Sequence, residues 1–386
     1  MKKKLLLPFA ILLLFALAAC GGNVDPKALI EDASNAAEGV VDSVTEQLSE
    51  TTSEESDEHA EVQFKTACDP AATVGIPVPT EAEVMVRFVN ASGRDLVGVW
   101  RDTSQSPAQD TEYFQLADGE TYDQETFDGD EWFVEDEDGN SWEYVATAKV
   151  AQCVGLYHHF DYEGEAPTEN WAELSAYYHT CDSDAKQSPI NLADATMTDL
   201  VNIDFAYGET AVKILNNGHT IEVKDITGNQ ITINDTTYAL QQFHFHTPSE
   251  HTVDGEPYPI EMHLVHKSLD GNSFAVVGVF IAEGAENPAF APVWDHLPRE
   301  ESPAFDTGET VNVANLLPAE PLVYRYTGSL TTPPCTEGIL WSVMTTPVEM
   351  SSTQIDAFTS ISLFEEGINR PVQPVNEQGL QLDNTP

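Results

Sequence analysis

Residues 241–251 read "QQFHFHTPSEH". His244, His246 and His251 fall within this stretch, with Glu250 among them. It continues a β-like run, "YALQQFHFH", residues 238–246. On a strand, residues i and i+2 share a face. His244 and His246 then converge, while Phe245 points away into a core. A third ligand must come from another element, and "EMHLVH", residues 261–266, supplies His263 on a second strand-like run. Three neutral imidazoles, with no thiolate or carboxylate among them, suit Zn²⁺. They leave a fourth position for water, the layout of a catalytic site rather than a closed structural one. The alternative is a pair of hydrogen-bonded or surface histidines on an ordinary strand.

The rest of residues 156–386 carries many β-like runs, among them "AVKILNNG", "TIEVK", "FAVVGVFI", "LVYRYTGSL" and "GILWSVM". Helical patterning is scarce, with "TENWAELS" and "SSTQIDAFTSI" the best candidates. The expected class is mainly β: a large, mostly antiparallel sheet with few short helices. The H-x-H-x₃-E spacing approaches the first metal motif of the cupins. That motif wants a glycine six residues before the first histidine, where Tyr238 stands, and the second cupin motif is absent.

Residues 62–155 read as a smaller β-sandwich. In "EVMVRFVN", Val84, Val86 and Phe88 alternate with neighbours on the other face, which predicts a half-buried strand. "DLVGVW", "EYFQL", "EWFVED" and "SWEYVATAKV" follow, separated by turns such as "ASGRD", "ADGE" and "EDGN". The pattern over residues 83–145 resembles the β domain of the von Hippel–Lindau protein. Trp100, Tyr113, Thr126 and Trp132 fall where that family lines a hydroxyproline-peptide pocket, but Asp130 replaces its pocket histidine. Packing of these aromatics in the sandwich core is the competing reading. A protein or peptide partner of this region stays unspecified.

The N-terminus, "MKKKLLLPFAILLLFALAAC", has a basic start, an apolar run and a small-residue end, the pattern of a secretory signal. Its ending, Leu17 to Cys20, resembles the bacterial lipobox, so residues 1–20 read as a lipoprotein signal with lipid on Cys20. Gly21 then favours the outer membrane or cell surface, and the membrane is a partner through that lipid. Residues 21–61 read as an acidic tether, partly helical over "DPKALIEDASNAAEGVVDSVTEQLSE" and disordered over "TTSEESDEHAE". Setting Cys20 aside leaves Cys68, Cys153, Cys181 and Cys335, which an exported chain can oxidise. Cys68 and Cys153 bracket the sandwich and Cys181 and Cys335 lie in the next region, so those two pairs are expected. The formal charge of −49, from 65 acidic and 16 basic residues, repels nucleic acid, which is not an expected partner.

Seven segments occur in order: "QSPINL", "KILNNGH", "FHFHTPSEHTVDG", "EMHLVH", "AVVGVF", "GSLTTPPCTEG" and "NRPVQP". Together they resemble an α-class carbonic anhydrase of the bacterial exported type, over residues 157–376. The resemblance implies that fold and zinc-dependent reversible hydration of CO₂ to bicarbonate and a proton at the cell envelope. The implied zinc ligands are His244, His246 and His263, oriented by Gln242 and Glu261. His251 and His266 are not ligands in this match. Thr331 corresponds to a gatekeeping threonine whose proton is donated to Glu250, leaving its oxygen free to accept from the nucleophile. Thr332 corresponds to a bicarbonate contact, and Val265, Val276, Leu330, Ile339 and Trp341 to the apolar wall of the CO₂ pocket. His219 corresponds to the proton shuttle, with Tyr162 and Asn217 ordering relay water.

Three departures accompany this match. Glu222 stands where an amide is usual and is expected to raise the His219 pKa. Phe160 replaces a tryptophan, and the G-P-x-x-W segment is loosened. The implied Cys181–Cys335 bridge pins the threonine loop. A catalytically inactive binding or adhesion lipoprotein of the same family is the alternative, and the complete set of ligands with Glu250 and Thr331 argues against it.

Overall fold

Alternating apolar residues over 84–156 close two four-stranded sheets face to face in a computed structural model of the chain. That model describes residues 62–65, 68, 71–80, 82–147, 151–164, 166–183, 185–320, 322–364, 366–375 and 379–383. The signal at 1–20, including Cys20, and the tether at 21–61 lie outside the described residues.

One sheet of the sandwich runs in the order Val62–Lys65, Ala151–His158, Val84–Ala91, Thr121–Thr126. The other runs Gln109–Leu116, Leu96–Asp102, Glu131–Asp136, Ser141–Val145. Val84, Val86 and Phe88 meet Leu96, Leu116, Trp132 and Val154 between the sheets. Trp132 is core, and its Nε1 donates to Thr126 Oγ1 at 2.9 Å. Asp130 closes its own turn by accepting from Thr126 Oγ1 and the Phe127 amide.

The strand Val84–Ala91 is not half-buried, contrary to its alternation. Met85, Val89 and Ala91 on its other face are also buried. That face is covered because Val89, Ala91, Cys153 and Tyr157 pack on Phe160, Trp171, Tyr178, Cys181 and Cys335. Arg87 alone on this strand keeps partial exposure, and it forks onto Asp123 at 2.6 and 2.7 Å. Residues 61–386 accordingly form one compact unit. The boundary expected at 155/156 falls inside the strand Ala151–His158.

Beyond that strand lies a sheet of thirteen strands, mostly antiparallel. At its centre Ile260–Ser268 pairs with Thr236–His246 on one side and Phe274–Glu283 on the other. Phe274–Glu283 pairs in parallel with Glu337–Met344. These central strands are covered on both faces, so they read as apolar runs rather than clean alternations. The two segments expected to be helical are so, at Trp171–Leu174 and Ser352–Thr359. The latter starts with a capping box in which Ser351 and Gln354 satisfy each other's backbone N–H groups.

Disulfides join Cys68 to Cys153 and Cys181 to Cys335, at sequence separations of 85 and 154. Loops of this size lower the entropy of the unfolded chain by about 4–5 kcal/mol each in the chain-entropy account. Asp118, on a turn of the sandwich, supplies a polar tie to the larger sheet's side. It accepts from Gly93 N at 2.9 Å, Ser175 Oγ at 2.6 Å and Ala176 N at 2.6 Å. Asp118→Ala leaves these donors without a partner and should destabilise the protein by about 1–3 kcal/mol. Urea unfolding checks this.

Candidate metal centre

The strand Thr236–His246 carries one extra residue. Leu240 faces His266 on the neighbouring strand and Gln242 faces Val265, so Gln241 is a bulge. Before it, the core takes Tyr238 and Leu240; after it, the core takes Phe243 and Phe245. The apolar phase thus switches from even to odd positions. Gln242, His244 and His246 are thrown onto the opposite face. His263 lies directly across from His244 in the ladder.

Each imidazole is held through one nitrogen. His244 Nδ1–H donates to Gln242 Oε1 at 2.8 Å. His246 Nδ1–H donates to the Ile368 carbonyl at 2.7 Å. His263 Nε2–H donates to Glu261 Oε1 at 3.0 Å. With tautomers set by these acceptors, the remaining nitrogens are Nε2, Nε2 and Nδ1, each with its lone pair. One ligand atom from each of the three histidines lies within 4.8 Å of the others. His246 Nε2 is buried and has no hydrogen-bond partner among the described residues. A buried nitrogen lone pair left unpaired is costly, and a cation shared by the three would satisfy it. Burial, aided by His246 and His263, holds His244 well below the ordinary imidazole value. Burial does the same for His246. Both are therefore neutral at pH 7, the form that binds a metal.

His251, Glu261 and His263 also lie close together, but hydrogen bonds account for this. His251 Nδ1–H donates to Glu261 Oε1 at 2.7 Å, and its Nε2 accepts from Tyr326 Oη at 2.6 Å. His266 Nε2 pairs with Tyr207 Oη at 2.7 Å. Glu250 Oε1 accepts from the Arg370 backbone N–H at 2.9 Å. Its Oε2 is buried without a donor among the described residues. The Thr331–Glu250 hydrogen bond implied by the resemblance is therefore not formed, although both residues are buried.

Val265, Val276, Ile339 and Trp341 meet in one apolar cluster, with Leu330 packed against it. The Trp341 ring lies 4.8 Å from that of His263, so the cluster abuts the histidines. A cavity of about 300 Å³ also opens at the histidines. It is lined by His244, His246, Thr332, Tyr162, Asn217 and His219. The His219 ring stacks on Phe160 at 4.2 Å and 7°.

The pKa of His219 is not raised by Glu222. It is pushed down to about 3 by burial first, then by Lys65 and His159. Glu222 is itself pushed up by burial, which weakens it as a charge. Sequence reasoning missed Lys65, Cys68 and Tyr157, which also line the cavity. The segment "NRPVQP" carries Arg370. That guanidinium is buried and donates to Gln187 Oε1, Ser188 O and Cys181 O at 2.7–2.8 Å. The Ile368 carbonyl has no side-chain signal that could have revealed it.

The profile of the eukaryotic-type carbonic anhydrase family matches residues 166–382. A carbonic anhydrase of Pectobacterium atrosepticum is 39% identical over 218 residues, which are 56% of this chain and 88% of that protein. One from Klebsiella pneumoniae is 41% identical over 220 residues, with the same shares. The solved α-carbonic anhydrase of Thermovibrio ammonificans, in complex with the inhibitor sulfanilamide, is 40% identical at a TM-score of 0.55. It covers 58% of this chain and 99% of its own. The chain belongs to the eukaryotic-type carbonic anhydrase family. It is a carbonic anhydrase, preceded by an additional β-sandwich.

The buried histidine outside the centre gives a pH prediction. Burial lowers His266 from 6.5 to about 4 in the folded protein. The unfolded chain then binds more protons between those values, so stability is lost as pH falls from about 6.5 toward about 4. The full effect is on the order of 3 kcal/mol. His266→Gln removes this titration. The stability advantage of wild type over the variant, both metal-free, should shrink between pH 7.5 and pH 5 in urea unfolding.

Proposed function

We propose that the chain catalyses the zinc-dependent, reversible hydration of CO₂ to bicarbonate and a proton at the bacterial cell envelope. The observation that carries this reading is the trio His244, His246 and His263. Each is held through one nitrogen, and the buried His246 Nε2 lacks a partner among the described residues. The donor set fits Zn²⁺ with an open fourth position. When bound, zinc would act as a Lewis acid and bring the pKa of a water to about 7.

The chain's own residues then do the following. Gln242, Glu261 and the Ile368 carbonyl fix the tautomers and orientations of the three histidines. Glu250 Oε2, an acceptor without a donor among the described residues, accepts a hydrogen bond from the Thr331 hydroxyl once that side chain turns toward it. Thr331's oxygen is then free to accept from the nucleophile and aim it. Val265, Val276, Leu330, Ile339 and Trp341 give linear, apolar CO₂ a dry wall beside the histidines. Thr332, on the cavity lining, donates to bicarbonate.

His219 passes the proton outward, assisted by water ordered by Tyr162 and Asn217. Its depressed pKa makes it quick to release a proton and reluctant to take one. A value near 3 lies well below the operating pH at which a relay is most effective, so proton transfer to this imidazole in its buried position runs uphill. The Cys20 lipid anchor, the exported location at the outer membrane or periplasm, and kinship of the sandwich to von Hippel–Lindau β domains belong to the same proposal. The "LAAC" segment and the two disulfides support export and anchoring.

Stopped-flow CO₂ hydration, with metal analysis of the same sample, tests the reading. One zinc per chain and a rate abolished by chelation and restored by zinc are expected. A rate insensitive to chelation would sink it. His219→Ala should lower kcat on the order of 10²-fold in weak buffer, at the low end for a general acid–base group. Added imidazole should restore kcat, while kcat/KM is unaffected.

A further inference from the structure

The cavity beside His244 and His246 is not built by the carbonic anhydrase region alone. Lys65, Cys68 and Tyr157, all from the N-terminal sandwich or its final strand, share its lining with His219. Three features hold them there. Val62–Lys65 pairs antiparallel with Ala151–His158, setting Lys65 opposite Gly155. Cys68 is bonded to Cys153 on that same strand. The Tyr157 ring lies back along the strand over Gly155, where a Cβ would meet it at 2.6 Å, so only glycine leaves room for it. The Lys65 ammonium sits 5.5 Å from the centre of this ring. The sandwich in turn shares one apolar cluster with Phe160, Trp171 and Tyr178 and cannot swing away without opening it.

We propose that the N-terminal sandwich is a working wall of the catalytic cleft, in which Lys65 is the specificity-determining residue that attracts bicarbonate and other small anions. The proposal rests on the reading of His244, His246 and His263 as the catalytic centre. The chain carries a formal net charge of −49, which disfavours the approach of anions. One reaction partner, bicarbonate, is an anion. A cation fixed in a half-enclosed cavity counters that charge locally, where screening by salt is weakest. Lys65 lies outside residues 166–382, the part that matches the family profile.

Lys65 also bears on His219, with which it shares the cavity lining. Among the described residues, Lys65, Glu222, Tyr157, Tyr162, Tyr178, His244 and His246 line the cavity with His219, and the His159 ring lies 5.6 Å from its own. After burial, Lys65 is the largest influence holding the imidazole neutral. The cation that favours anions in the cleft thus disfavours a proton resting on His219.

Lys65→Ala, Lys65→Glu and Lys65→Arg in the full chain test this through two readouts. The first is the NMR titration midpoint of His219 in ¹³C-histidine-labelled, metal-free protein, which requires neither zinc nor activity. It should rise in Lys65→Ala, rise further in Lys65→Glu, and stay at the wild-type value in Lys65→Arg. The second is inhibition of the zinc-loaded enzyme by azide, a small anion. Azide should bind roughly three- to tenfold more weakly in Lys65→Ala, more weakly still in Lys65→Glu, and with wild-type strength in Lys65→Arg. Titration midpoints and azide constants equal to wild type in all three variants would overturn the proposal. Absence of CO₂ hydration by wild type would instead defeat the functional reading, and the His219 titration would still decide whether Lys65 acts in the cleft.

Discussion

One extra residue in a strand sets the phase of the candidate metal centre. Without the bulge at Gln241, continuing the Tyr238–Leu240 phase would send residues 242, 244 and 246 into the core and expose Phe243 and Phe245. With it, two fully buried phenylalanines anchor the back of the strand, and the two histidines project toward the cleft. Phe245 packs edge-on to Trp294 at 4.9 Å and contacts Phe290 and Phe358. The chemistry of the front face is held in register by aromatic packing on the rear.

Around the histidines, buried charge is handled by dense hydrogen bonding rather than by exposure. Glu261 is fully buried and accepts from the His251 N–H, His251 Nδ1 and His263 Nε2. Burial works against its ionisation, but His251 and His263 hold it well below the usual carboxylate range. Arg370 is lowered only to about 10 by burial, so it stays charged. Its side chain ties the Cys181 and Gln187–Ser188 segments together, while its amide holds Glu250. Losing one member of such a network strands the others in a low-dielectric interior, which is costly. The rigidity that fixes imidazole tautomers therefore extends to the disulfide-pinned loop carrying Thr331.

Much of this was legible in the sequence. The period of two in "FHFH", the matching "EMH" and the paucity of helical patterning led to the mainly β fold and to the histidine trio. Four features were not legible. The alternation of "EVMVRFVN" says which side chains face the sandwich core. It carries no signal that the other face is covered by Trp171 and Tyr178, residues about ninety positions away. "VQFKTACDP" has no motif, so Lys65 could not be linked to His219. Glu222 adjoins His219 in sequence and pointed to a raised pKa. The lowered value comes from burial and from Lys65, which only the folded chain brings near. Finally, backbone groups such as the Ile368 carbonyl leave no trace in residue identity.

The central claim is that three imidazoles, and no sulfur or carboxylate ligand from the chain, hold the catalytic zinc. Zinc-edge X-ray absorption on the purified full chain measures this directly. The account predicts a first shell of three nitrogens and one oxygen at about 2.0–2.1 Å, with the outer-shell scattering of three imidazoles. A sulfur shell near 2.3 Å, or scattering from fewer than three imidazoles, would contradict it.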